Sequence, residues 1–214
     1  MSQIVPTITV ETSDQFKVET EKIGTFAHRI HIDISDGEFA PTLLLSEQQL
    51  YWPEAWEVDV HAMVARPSEH IEQIIKLKPS LVILHAESQE DILTHFATLK
   101  LAGIKTGIAL LRTTVPASVQ DLISAADHVM IFSGELGKHG GTASMMQLEK
   151  IRLVKKIKPD VEIGWDGGVK VANAYTLSRG GVDVLNVGGE IAESLNPFET
   201  YNELVKEINK HGVI

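Results

Sequence analysis

The chain has 214 residues, of which 43% are hydrophobic and 22% are charged, the usual balance for a globular protein. General disorder is therefore excluded, and this length predicts one domain over residues 1–214. Nineteen basic and 29 acidic residues give a formal net charge of −10, which argues against a nucleic-acid-binding surface.

The sequence contains no cysteine, so disulfides, thiolate nucleophiles and cysteine-based metal sites are excluded. The first residues show no basic segment followed by an apolar one, and no apolar run approaches the roughly 18 residues of a membrane span. We therefore expect a cytoplasmic protein with no signal peptide and no membrane partner.

Short apolar runs rich in β-branched residues alternate with segments of helical periodicity along the chain. The apolar runs predict strands at residues 4–8, 30–34, 58–64, 81–85, 106–110, 128–132, 161–165 and 182–187. The periodic segments predict helices at 14–23, 68–77, 89–102, 116–126, 143–158, 172–179 and 197–210, with only a turn or two around 46–51. The alternation predicts a (β/α)₈ TIM barrel rather than an open doubly wound sheet, because no G-x-G-x-x-G motif follows the first strand.

Polar residues collect at the carboxyl ends of the predicted strands, where barrel enzymes have their active sites. Alternation along the second strand places His31 and Asp33 on one side, and strands 3 and 7 add His61 and Asp166. Two imidazoles and two carboxylates suit one divalent cation, Zn²⁺, Fe²⁺, Mn²⁺ or Co²⁺. We predict a metal site, with ordinary hydrogen-bonded polar residues as the alternative.

Paired glycines follow the last two predicted strands. Gly167 and Gly168 follow strand 7, and Gly188 and Gly189 follow strand 8. Barrels commonly bind phosphate at this position, where backbone N–H groups approach the anion without a Cβ in the way. Tight turns are the alternative use of such glycines.

Two further features each have two interpretations. The glycine-rich segment 134–141 could cover a ligand, with Lys138 and His139 adding positive charge, or serve as a connection. His85 at the end of strand 4 is interpreted as a core histidine, with a hydrogen bond to a metal ligand as the alternative.

Three motifs together resemble the ribulose-phosphate 3-epimerase family. The family pattern H-x-D-x-M-D-G-x-F-x-P is matched by His31, Asp33, Asp36, Gly37, Phe39 and Pro41. Its D-V-H-L-M-V corresponds to residues 59–64, with Ala62 in place of the leucine, and its V-D-G-G-I is close to residues 165–169. The resemblance extends over most of the chain.

This resemblance implies an isomerase of carbohydrate metabolism that inverts C3 of a ketose phosphate, such as ribulose 5-phosphate or allulose 6-phosphate. It implies one divalent metal held by His31, Asp33, His61 and Asp166, with the two aspartates also acting as acid and base around a metal-stabilised enediolate. It further implies a homodimer or larger homo-oligomer. The residues expected to contact the sugar phosphate are Thr7, Met63, Gly137, Gly140, Gly167, Gly168, Gly188 and Gly189.

The sequence departs from the family pattern around the substrate. Ser35 and Phe132 stand where the family has methionines, and residues 135–140 keep only the first and last glycine of N-P-G-F-G-G. The family's G-S is Gly188-Gly189, followed by Glu190, whose carboxylate would disfavour a phosphate unless it points away. These departures predict an altered substrate.

Two alternative functions are kept. A lyase or synthase similar to hexulose-phosphate synthase prefers a lysine beside its strand 3 aspartate, whereas this chain has Asp59-x-His61. A non-catalytic sugar-phosphate-binding barrel would explain the altered loops, but not the retained metal ligands.

Overall fold

Eight parallel strands form a closed barrel in the computed structural model, in which residues 2–136 and 141–210 are described. The strands are β1 (Gln3–Ile8), β2 (Arg29–Ser35), β3 (Glu57–Met63), β4 (Leu81–His85), β5 (Lys105–Leu110), β6 (His128–Phe132), β7 (Glu162–Asp166) and β8 (Val184–Val187). They pair in chain order, and β1 pairs with β8 to close the ring. The predicted (β/α)₈ TIM barrel is confirmed.

Helices follow the strands at nearly every connection. They are α1 (Ser13–Ile23), α2 (Ile71–Leu77), α3 (Ile92–Leu101), α4 (Gln120–Ala125), α5 (Glu149–Ile157), α6 (Val171–Arg179), α7 (Gly189–Ala192) and α8 (Pro197–Ile208). The predicted helices before β4, β6 and β7 begin with 3₁₀ turns at Pro67–Glu69, Pro116–Val119 and Met145–Leu148. The link from β2 to β3 carries one short 3₁₀ helix, Glu47–Gln49. Helix α7 was not predicted, because four residues are too few to show helical periodicity.

The first helix forms despite its weakly apolar sequence. Thr12 accepts a hydrogen bond from the Gln15 N–H (3.3 Å), and the Gln15 side chain accepts one from the Thr12 N–H (3.2 Å). This capping box satisfies donors that the first turn leaves free. Phe16 and Ile23 on the inner face are buried against the barrel.

Alternation along each strand divides the apolar core into two parts. One side of the strands, represented by Ile32 and Val60, packs against the helices in the main core. The other side faces the barrel interior, where the apolar cluster consists of Leu81, Ile83, Ala109, Met130 and Phe132. Because successive side chains point to opposite faces, every second residue of a strand is directed to the interior.

The strand register sets which interior side chains meet at one level. Asp33 pairs with His61 across β2 and β3, and Phe132 pairs with Asp166 across β6 and β7. These pairs lie at the carboxyl ends of their strands. Within the described ranges, no helix combines the length and apolar character that a membrane span requires.

Candidate metal and active site

Four predicted ligands converge at the carboxyl end of the barrel interior. His31 and Asp33 come from β2, His61 from β3 and Asp166 from β7. All four are buried, with exposed fractions between 0 and 9%. The structure brings them together because they occupy inward positions of strands that the closed sheet places around one axis.

One ligand atom from each residue lies within 4.8 Å of the others. His61 Nδ1 is 2.8 Å from Asp33 Oδ1 and 3.8 Å from Asp166 Oδ2. His31 Nε2 is 3.1 Å from the same Asp33 oxygen. Two imidazole nitrogens and two carboxylate oxygens therefore face one point, a donor set that fits Zn²⁺, Fe²⁺, Mn²⁺ or Co²⁺.

The surroundings of the two aspartates shift their pKa values in opposite directions. Burial disfavours ionised Asp33, but hydrogen bonds with His31 and His61 outweigh it and hold the pKa of Asp33 far below its usual range. Burial raises the pKa of Asp166, and the negative charge of Asp33 raises it further. Burial also works against protonated His31, yet the Asp33 hydrogen bond and charge leave the pKa of His31 raised. The cluster thus displaces the pKa values of its two aspartates in opposite directions.

Further side chains form hydrogen bonds with members of the cluster. The Thr9 hydroxyl donates to Asp33 Oδ2 at 2.6 Å. His85 Nε2 is 2.8 Å from His61 Nε2, and His85 Nδ1 is 3.4 Å from Glu87 Oε2. Burial lowers the pKa of His85 to about 4, so this ring is neutral at pH 7. His85 thus contacts a predicted ligand, the arrangement that the sequence offered as the alternative.

A cavity of about 220 Å³ borders the cluster and is lined by its two aspartates, Asp33 and Asp166. Of the residues expected to contact substrate, six line or border it: Thr7, Met63, Gly167, Gly168, Gly188 and Gly189. Gly137 and Gly140, with Lys138 and His139 between them, lie outside the described residues. Phe132 also lines the cavity.

The glycines after β7 have a clear packing role. Gly167 and Gly168 adopt positive φ angles of 99° and 73°. A Cβ at Gly167 would collide with the backbone of Gly134, and a Cβ at Gly168 would collide with the backbone of Ala143. These glycines therefore let the segments that follow β6 approach β7 closely, because neither position leaves space for a side chain.

Glu190 also lines the cavity. Its Oε1 accepts a hydrogen bond of 3.1 Å from the Val171 N–H, at the start of α6. Glu193 and Lys170 line the cavity as well. The Val171 N–H, which the start of α6 could otherwise offer to a bound anion, is thus already bonded to the Glu190 carboxylate.

Sequence reasoning missed several residues of this site. These are Thr9, Glu87 and Glu193, which belong to no motif and reach the site or its support only through strand pairing and loop packing. Asn186 alone gave a signal, since it is a polar residue on the inward side of an apolar strand. Its Nδ2 is 3.4 Å from Met130 Sδ, and its side chain lines the cavity.

Comparison with known proteins gives a consistent result. The model of the ribulose-phosphate 3 epimerase family matches residues 3–192. A ribulose-phosphate 3-epimerase of Helicobacter pylori J99 is 30% identical over 183 residues, covering 82% of this chain and 84% of that protein. A chloroplastic ribulose-5-phosphate-3-epimerase of Arabidopsis thaliana is 28% identical over 190 residues, covering 84% of this chain and 66% of that protein.

Solved structures support the fold. A 3-hexulose-6-phosphate synthase of Salmonella typhimurium superposes with a TM-score of 0.69 at 15% identity, covering 98% of this chain and 100% of that chain. A tryptophan synthase of Mycobacterium tuberculosis superposes with a TM-score of 0.74 at 13% identity, covering 98% and 93%. At such identities the superpositions show the barrel alone. The sequence matches go further: the chain belongs to the ribulose-phosphate 3-epimerase family, a family of isomerases of carbohydrate metabolism.

Proposed function

We propose that the chain is a metal-dependent epimerase that inverts C3 of a ketose phosphate, such as ribulose 5-phosphate or allulose 6-phosphate. The observation that carries this proposal is the pair Asp33 and Asp166, which lie in one buried cluster with pKa values displaced in opposite directions. An acid and a base built from the same residue type are what an inversion by two proton transfers needs. Relatives named ribulose-phosphate 3-epimerase support it.

The two aspartates would divide the proton transfers between the faces of the substrate carbon. Inversion at C3 requires that a proton beside the C2 carbonyl leave one face and that another arrive on the opposite face. One of Asp33 and Asp166 would accept the first proton, and the other would deliver the second from the opposite face. Their roles exchange in the reverse direction. A positioned proton transfer of this kind contributes roughly 10²- to 10⁴-fold in rate.

His31, Asp33, His61 and Asp166 would hold one divalent cation, since their donor atoms lie within 4.8 Å of one another. When bound, the cation supplies Lewis-acid stabilisation of the negative charge that develops on the substrate oxygens. The Thr9 hydroxyl keeps one oxygen of Asp33 oriented away from the histidines.

Residues that line the cavity would affect how tightly the phosphate of the proposed substrate binds. Thr7 and the glycines after β7 and β8 line the space where a small phosphorylated sugar would extend. Glu190 places a carboxylate there, which weakens the attraction for a phosphate dianion. Unphosphorylated ketoses therefore belong in the substrate test. Homo-oligomer formation and a cytoplasmic location stay predictions.

The test is hydrogen exchange in D₂O followed by NMR. Chelator-treated protein would be supplied with Zn²⁺, Fe²⁺, Mn²⁺ or Co²⁺ and with ketose phosphates or their unphosphorylated counterparts. We expect metal-dependent loss of the C3 proton signal, with Asp33→Asn and Asp166→Asn each slowing it by roughly 10²-fold or more. Asp91→Asn, at the exposed cap of α3, is the control and should exchange normally.

Three results would contradict the proposal in different ways. If the protein binds metal but exchanges the C3 proton of no ketose tested, the epimerase proposal is wrong and the lyase is favoured. Exchange that persists in both asparagine variants would remove the two-aspartate mechanism. Sugar-phosphate binding with neither metal nor exchange would indicate a non-catalytic binding barrel.

A further inference from the structure

Two polar residues that the proposed chemistry does not use, His85 and Glu87, lie beside the four-residue cluster. His85 ends β4 and is fully buried, and Glu87 follows it by two positions. The His85 ring packs between Phe39 and Phe132, with ring centroids 4.6 and 5.7 Å away. A buried polar ring held between two aromatic rings has its orientation fixed, so its hydrogen bonds are fixed as well.

The two nitrogens of His61 face different partners. Nδ1 is directed to the cation site, 2.8 Å from Asp33 Oδ1, whereas Nε2 is 2.8 Å from His85 Nε2. Two imidazole nitrogens at this distance share one proton, since one must donate and the other accept. When a cation takes the place of a proton at Nδ1, the remaining ring proton of His61 must be on Nε2. His85 then has to accept it.

Glu87 determines that His85 is able to accept. With its Nε2 lone pair engaged by His61, His85 carries its own proton on Nδ1, which is 3.4 Å from Glu87 Oε2. The other Glu87 oxygen accepts from the Leu111 N–H at 3.0 Å and from the Thr114 hydroxyl. Both oxygens of Glu87 thus act as acceptors, and the direction of every bond between Glu87 and His61 follows from that.

We propose that His85 and Glu87 are positioning residues that keep the His61 ring proton on Nε2 and leave Nδ1 free for the divalent cation. The inference rests on the metal site of the proposed function. Outer partners that fix the tautomer of a ligating histidine commonly change metal affinity about 10- to 100-fold when they are replaced.

Glu87→Gln tests the direction of these bonds without changing side-chain volume. The Leu111 N–H requires an oxygen, so the amide NH₂ would face His85 Nδ1. His85 would then carry its proton on Nε2 and donate to His61, which would place the His61 proton on Nδ1 and oppose the cation. His85→Leu removes the acceptor altogether, whereas His85→Gln offers a carbonyl oxygen in its place.

The measurement is Zn²⁺ and Co²⁺ affinity of chelator-treated protein, by competition with a chromophoric chelator. We expect Glu87→Gln and His85→Leu to bind about 10- to 100-fold more weakly and His85→Gln to recover most of the affinity. Glu90→Gln is the matched control, because Glu90 bonds His95 at 2.9 Å outside the barrel. Circular dichroism and thermal melts would establish that each variant is folded.

A second readout addresses the proton directly. Nitrogen-15 NMR of the Zn²⁺-loaded protein should show His61 protonated at Nε2 and His85 at Nδ1. Wild-type affinity in both Glu87→Gln and His85→Leu, or a His85 ring protonated at Nε2, would overturn the inference while leaving the proposed function intact. Absence of metal binding in the unsubstituted protein would overturn both.

Discussion

The two ends of the barrel interior both bury ionisable side chains, but they balance charge differently. At the amino end, Arg29 Nε donates to Asp59 at 2.8 Å, and its two terminal nitrogens donate to Glu162 at 3.0 and 2.9 Å. His128 Nδ1 adds a bond of 2.7 Å to Glu162. This network, Arg29 with Asp59, Glu162 and His128, contains its own permanent cation.

The four-residue cluster at the carboxyl end also combines histidines with carboxylates. Within residues 2–136 and 141–210, the ion-pair partners recorded for Asp33 and Asp166 are His31 and His61. Histidines, whose charge depends on protonation, balance these carboxylates less permanently than an arginine does, and we expect a cation from solution to stabilise the arrangement. At the amino end an arginine balances the carboxylates, whereas the donor atoms at the carboxyl end could hold a metal ion.

Removing that arginine should have the largest effect on stability. Arg29→Met leaves Asp59, which is only 2% exposed, without its cation, and breaking a buried pair costs roughly 3–5 kcal/mol of unfolding free energy. Urea denaturation at pH 7 would measure it. Arg66→Met, which breaks exposed pairs with Glu38 and Glu69, is the control and should leave stability unchanged.

Adding Asp59→Asn to Arg29→Met sharpens this test, because it removes one of the uncompensated charges. We expect the double variant to regain part of the loss, while metal affinity stays at the wild-type value in all folded variants. Equal stability of Arg29→Met and wild type would show that the network does not balance these charges.

Metal addition should stabilise the carboxyl end by a smaller amount. A cation that binds only the folded protein raises the free energy of unfolding by about 2.7 kcal/mol at 100 times its dissociation constant. Chelator-treated wild type and His61→Gln would be unfolded in urea with and without Zn²⁺. We expect the increase in wild type alone; an equal increase in His61→Gln would place the bound ion elsewhere.

The smallest expected effect is a pH dependence from Glu162. Burial disfavours its charge, but the bonds with His128 and Arg29 outweigh burial and hold the pKa of Glu162 well below its usual range. Its stabilisation is therefore complete above the unfolded-state pKa of about 4.3 and is lost as pH falls below that value. Unfolding free energies at pH 7, 5, 4 and 3 should fall less steeply for Glu162→Gln than for wild type. Parallel curves would contradict the assignment.

Much of the fold could be predicted because its signals are local. The strands 81–85 and 128–132 were predicted with the bounds that the structure has. Apolar runs bounded by turns are visible in a short window of sequence. Helix α7 and the 3₁₀ turns before α2, α4 and α5 were not anticipated, because a single turn is too short to show a periodic pattern.

The four-residue cluster could also be predicted, since period-two alternation and the rule that parallel strands end together place His31, Asp33, His61 and Asp166 near each other. The amino-end network could not. No motif includes Arg29, His128 or Glu162, so nothing in the sequence indicated that their side chains meet in the closed sheet.

The sequence by itself therefore determined the barrel, the family and which side chains face the interior, because periodicity and motifs are properties of neighbouring residues. The tertiary structure decided which charges are compensated. It also placed His85 behind His61 and bonded Glu190 to the start of α6. These outcomes depend on distances across a closed sheet, which no local pattern encodes.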